Sequence, residues 1–101
     1  MKHIRMRPRI AISMGDPSGI GPEVTFKALK NRRVQSALTP VLFGDASLAA
    51  QSPFEFHAVS ALPSSDRRPG RPTRKGGLAQ WAYVTALIQA AVANEVEAVK
   101  L

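Results

Sequence analysis

The chain has no cysteine among its 101 residues, which removes disulfide frameworks, thiolate zinc sites and cysteine nucleophiles without fixing a compartment. Long apolar runs are missing too. The basic start, Met1-Lys2-His3-Ile4-Arg5-Met6-Arg7-Pro8-Arg9, leads into Ile10 to Met14 and then Gly15-Asp16-Pro17, an apolar stretch too short for a signal h-region. No stretch could cross a bilayer, so the expectation is a soluble cytoplasmic protein with no membrane partner. Acidic residues are scarce, 7 against 14 Lys and Arg, giving a formal charge of +7. That excess sits in a basic tail, residues 1–8, and in Arg67, Arg68, Arg71, Arg74 and Lys75. Aromatics make up only 6% and do not interleave with these cations, so a solvated loop is the expectation and nucleic acid is not an expected partner. The two histidines, His3 and His57, lie far apart with no carboxylate at ligand spacing, and no metal site is assigned. Ser13 and Ser18 lack an identifiable histidine and acid, which argues against a hydrolase nucleophile.

What is present suits one packed unit. The apolar fraction of 45% and charged fraction of 21% are ordinary globular usage, and the length fits a single domain. Arg9 to Met14 reads as a buried strand, and Pro22 to Asn31 as a helix with Pro22 and Glu23 suited to its first turn. Thr39 to Gly44 is a second strand, after which Asp45 caps a short helix through Ala50. Phe54 to Val59 alternates like a third strand. Residues 60–76 carry Pro63, Pro69, Pro72 and the arginine cluster, and are expected to form a mobile loop. Gly77 to Ala93 has the strongest helical period, with Leu78, Trp81, Ala82, Thr85, Ile88 and Val92 on the face expected to pack; Trp81 is read as core and Tyr83 as partly exposed. Asn94 suits a helix stop, and Val96 to Leu101 a fourth strand. Alternating strands and helices give an α/β fold of three layers, α/β/α, around a largely parallel sheet.

The informative segment is Met14-Gly15-Asp16-Pro17-Ser18-Gly19-Ile20-Gly21-Pro22-Glu23, a glycine-rich turn from a strand into a helix N-terminus. In α/β folds this junction lies at the carboxyl end of the strand, where ligands bind. The spacing is neither G-x-G-x-x-G nor a P-loop. From chemistry alone it is either a small-molecule or phosphate site or a turn that needs glycine for its shape, and Asp16 could simply hold that turn through its own backbone. Glu23 fits a partner of the helix dipole better than a catalytic acid.

This string, together with Val24, Lys27-Ala28-Leu29, Pro40-Val41-Leu42-Phe43-Gly44-Asp45 and Gly76-Gly77-Leu78-Ala79, resembles the 4-hydroxythreonine-4-phosphate dehydrogenase family of pyridoxal phosphate biosynthesis. The loop is also similar to the Gly-Asp-Gly-Ile-Gly-Pro-Glu segment of isopropylmalate and isocitrate dehydrogenases. The resemblance implies an isopropylmalate dehydrogenase-like fold and an oxidation dependent on NAD or NADP, followed by decarboxylation. It further implies a divalent metal, a phosphorylated substrate and a homodimer. Carried over residue by residue, it makes Gly15, Asp16, Gly19, Ile20 and Gly21 cofactor-proximal. The family's metal-binding histidines and phosphate-binding residues come later in its chain, and this sequence stops before them. Residues 1–101 are therefore expected to be the N-terminal part of a dehydrogenase domain, inactive alone, with no catalytic or metal residue assigned. The alternatives are a non-catalytic remnant or nucleotide-binding half-site, or a segment of a relative acting on phosphorylated sugar acids or a terephthalate dihydrodiol. With part of the sheet uncovered, aggregation or a molten state is expected of the isolated chain.

Overall fold

The structure, a computed structural model, describes residues 7–101. His3 and most of the basic tail lie outside them. Four parallel strands, β1 (Arg9–Ser13), β2 (Thr39–Asp45), β3 (Glu55–Ser60) and β4 (Ala98–Lys100), form one sheet in the order β3-β2-β1-β4. Three α-helices connect them: α1 (Gly21–Leu29), α2 (Arg32–Ala37) and α3 (Arg74–Val92). Short 3₁₀ helices occupy Ala46–Gln51 and Ser64–Asp66.

The apolar runs of β1 and β2 are continuous because both faces of the sheet are covered. On one face Ala11, Val41 and Phe43 pack with Ala79, Tyr83, Leu87 and Ala90 of α3. On the other, Leu42 and Ile12 meet Met14, Leu29 and Phe26, placing α1 there. These are the three layers read from the sequence. Asp45 caps the 3₁₀ helix as expected, its Oδ2 accepting from Ser47 N at 3.0 Å. Asn94 ends α3 with φ of 59°, the left-handed conformation that a β-branched residue resists.

Two readings change. Helix α2 was not anticipated: of its six residues only Val34 contributes an apolar contact, so no periodicity announces it, and its signal is Asn31, whose side chain accepts from Arg33 N and Val34 N. The packed face of α3 was misassigned. Gly76, Ala79, Tyr83, Leu87 and Ala90 are buried, whereas Leu78, Trp81, Ile88 and Val92 are 59%, 70%, 48% and 78% exposed. Both stripes have helical spacing. The sheet takes the one with small residues, which let the helix axis come close, and with the tyrosine whose hydroxyl finds a partner. Trp81 is therefore exposed and Tyr83 fully buried, the reverse of the expectation.

Candidate functional site

At the carboxyl end of β1 the chain turns through the glycine loop into α1. Gly15 has φ of 78°, where a side chain is strained. A Cβ on Gly21 would collide with the Met14 carbonyl oxygen, so the backbone doubles back on itself here as only glycine permits. Asp16 holds the turn: its Oδ1 accepts from Ser18 N at 2.8 Å and from Ser18 Oγ at 2.7 Å, and its carbonyl accepts from Gly19 N at 2.9 Å. No side chain caps the N-terminus of α1, where Ile20 stands at the cap position, 73% exposed. The loop thus leaves Ile20 exposed and the helix start without a side-chain cap, while its acid is engaged by Ser18.

The segment 60–76, expected to be mobile, is pinned at several points. Gly70 N donates to Ser18 O at 2.8 Å, and Leu62 N donates to Asp45 Oδ1 at 2.8 Å. Helix α3 begins inside this stretch, at Arg74, with Thr73 Oγ1 accepting from Gly76 N. A Cβ on Gly76 would lie 3.5 Å from Asp16 Oδ1, so the start of α3 lies against the loop. Between the loop, α1, the first 3₁₀ helix and Arg67 opens a cleft of about 730 Å³. Phe26 and Leu48 line it, with Lys27, Lys30 and Arg67 as its cations and Glu23 and Asp45 as its acids. Gly19 borders it, so the loop is one wall of the cleft.

Sequence reasoning missed a buried polar chain beneath this cleft. Asp45 Oδ1 accepts from Ser60 Oγ at 2.7 Å, and Ser60 Oγ lies 2.6 Å from the Tyr83 hydroxyl. Ser60 gives its one proton to Asp45, so Tyr83 donates to Ser60. The register shift between Gly44 and Asp45 is what sets Asp45 opposite Ser60. Burial pushes the Asp45 carboxyl up, but the hydrogen bonds from Ser47, Leu62 and Ser60 outweigh it and leave its pKa below the ordinary value. Arg67 Nε approaches Oδ2 at 3.9 Å. Burial raises the Tyr83 pKa, aided by the charges of Asp45 and Asp16 and opposed by the Ser60 bond.

His57 does have a carboxylate neighbour, contrary to the spacing argument. Its Nε2 lies 2.8 Å from Glu55 Oε2, and Arg9 holds both oxygens of Glu55 at 3.0 and 3.1 Å. The Arg9 hydrogen bond, then that of His57, holds the Glu55 carboxyl below its ordinary value. The His57 ring also stacks on Phe43, 4.7 Å between centroids. This cluster ties β3 to β1 across the sheet. Among the described residues no group of three or more histidines and acids could hold a metal ion, and no helix is long and apolar enough to cross a membrane.

No protein-family model matches the chain. It is 30% identical to a 4-hydroxythreonine-4-phosphate dehydrogenase of Trichlorobacter lovleyi, over 91% of this chain and 35% of that protein. It is also 30% identical, over 92% of this chain, to a Symbiobacterium thermophilum protein named as a proposed D-threonate 4-phosphate dehydrogenase. The chain thus spans about a third of the length of the curated relatives it matches. The crystal structure of a 4-hydroxythreonine-4-phosphate dehydrogenase from Burkholderia phymatum superposes with a TM-score of 0.81 at 22% identity, covering 94% of this chain and 36% of that one. The similarity covers nearly all of this chain, as the resemblance in its motifs implied.

Proposed function

The chain is related over nine-tenths of its length to the 4-hydroxythreonine-4-phosphate dehydrogenase family, and on that premise we propose that it is a segment of an NAD- or NADP-dependent dehydrogenase acting on a phosphorylated hydroxy acid. The observation that carries this reading is the loop from Gly15 to Gly21, which runs from the carboxyl end of β1 into an uncapped helix start. Gly15, Asp16, Gly19, Ile20 and Gly21 are proposed as the cofactor-proximal residues.

The loop fits a nicotinamide dinucleotide in shape and chemistry. Glycine at 19 and 21 keeps side chains off the backbone, so a ligand can reach the amides of the helix start. Ile20 offers an apolar surface for a ring. Asp16 gives its carboxylate to Ser18 and thereby keeps the loop in one shape. The bound cofactor supplies the hydride acceptor for oxidation of a secondary alcohol. Lys27, Lys30 and Arg67 give the adjoining cleft an excess of cations over its two acids, which suits a phosphorylated ligand.

The described residues include no group of three or more histidines and acids that could hold the divalent metal of the family. A second reading is that the chain by itself is a nucleotide-binding half-site without turnover. Both readings place the protein in the cytoplasm, apart from nucleic acid, with homodimerisation as the family implies. Calorimetric titration with NAD and NADP, beside Gly19→Val, tests them. A Cβ at Gly19 meets the Asp16 carbonyl at 3.3 Å, so the larger side chain disturbs the loop locally. The expected result is saturable binding lost in the variant; equal binding by both proteins would remove the loop from the site.

A further inference from the structure

Arg67 stands just after the second 3₁₀ helix, its amide donating to Ser64 O at 3.1 Å and its Nε to Leu62 O at 3.1 Å. Backbone and side chain are both fixed. The same Nε lies 3.9 Å from Asp45 Oδ2, near enough for charge attraction but too far for a hydrogen bond. With Nε committed, the N–H donors on the terminal nitrogens of the guanidinium have no acceptor among the described residues. These donors are not enclosed, because no buried side-chain polar atom among the described residues lacks a partner. Arg67 lines the cleft with its side chain 32% exposed, so the free edge of the guanidinium is open to a ligand there. Arg68, Arg71, Arg74 and Lys75 differ, being exposed and outside the cleft lining.

We infer that Arg67 is the anion anchor of the cleft, holding a phosphate group through paired hydrogen bonds from its terminal nitrogens. A planar fork of donors matches two oxygens of one phosphate, and a guanidinium already fixed in place loses little freedom on binding. Lys27 and Lys30 add charge from α1 and its C-cap, but both are exposed and reach the cleft on flexible stems. They attract an anion, and Arg67 orients it. Asp45 does not compete for this edge: its oxygens already accept from Ser47, Leu62 and Ser60, and its charge helps to position the guanidinium at Nε. The inference rests on the reading of this cleft as the place of a phosphorylated ligand, and names the group that grips the phosphate. The motif resemblance puts the family's phosphate-binding residues later in its chain, so Arg67 is a contact in addition to them. The phosphate can belong to a phosphorylated acid, as a monoester, or to a dinucleotide, as a pyrophosphate.

Nuclear magnetic resonance of the full chain, following the Arg67 Nε–H signal, tests this with inorganic phosphate, 2-phosphoglycolate and NAD as probes. The expected result is a saturable shift of that signal with inorganic phosphate. Arg67→Lys keeps the charge but loses the fork, and should weaken phosphate binding by about tenfold at an unchanged far-ultraviolet spectrum. Arg68→Gln, outside the cleft lining, should leave binding as it is. A response to 2-phosphoglycolate alone assigns the site to a monoester, and a response to NAD as well assigns it to a dinucleotide. An Arg67 signal that no probe moves, an Arg67→Lys chain that binds as tightly as the parent, or an equal loss in Arg68→Gln would each overturn the anchor. The two proposals fail separately. Glycine-loop shifts with NAD beside an Arg67 that ignores all three probes would remove the anchor and leave the cofactor reading; an Arg67 that answers phosphate while NAD moves nothing would do the reverse.

Discussion

Asp45 is nearly inaccessible and accepts from the backbone amides of Ser47 and Leu62 and from the Ser60 hydroxyl. Removing such an acceptor strands several donors, so Asp45→Ala is expected to lower unfolding free energy by about 3 kcal/mol, read by urea denaturation. Tyr83→Phe deletes only one bond of the chain and should cost about 1 kcal/mol. The Asp45 pKa lies below its ordinary value, so its stabilisation is complete above about pH 4, the value in the unfolded chain. It disappears as pH falls through the folded-state pKa. Glu55, also held low, acts in the same direction but is partly exposed and contributes less. Acid titration of stability should therefore flatten below pH 4 in Asp45→Asn, and an unchanged acid limb would show that other carboxylates dominate. The glycine loop was readable at this scale because its constraints are local. The Asp45, Ser60 and Tyr83 chain was not: its members are 15 and 23 residues apart and meet only through the register shift in β2.

Among the elements, β1 and β2 were legible because strands buried on both faces show unbroken apolar runs, and the 3₁₀ helix after Asp45 because its cap is adjacent in sequence. The face of α3 was not legible. Two stripes of equal period compete on it, and the choice depends on the helix–sheet distance that Gly76, Ala79 and Ala90 allow. The caps give direct tests. Asn31→Ala should cost about 1 kcal/mol by removing both bonds that start α2, measured as a lower urea midpoint at unchanged slope. At the C-terminal end of α3, Asn94→Val places a β-branched residue in the left-handed region and should cost about 1–2 kcal/mol. A neutral result there would mean that α3 ends by fraying rather than at a fixed stop.

At the scale of the molecule, two apolar clusters on opposite sheet faces and a pinned 60–76 segment argue for a packed chain rather than the molten state that incomplete coverage suggested. The exposed apolar surface is instead concentrated, with its largest share on one side of α3. A single cooperative urea transition is therefore expected at low concentration, and a gradual one would mark a molten state. The cleft and the glycine loop sit together at the carboxyl edge of the sheet, where α/β folds place ligands, while the Arg9, Glu55 and His57 cluster braces β3 to β1.

The proposed place of this loop beside a nicotinamide cofactor is tested by a ¹⁵N–¹H correlation spectrum of the chain titrated with NAD and then NADP. Saturable shifts are expected at the amides of Gly15, Asp16, Gly19, Ile20 and Gly21, with the β3 cluster unmoved; shifts centred elsewhere, or a folded chain with none at all, would remove the loop from the cofactor site.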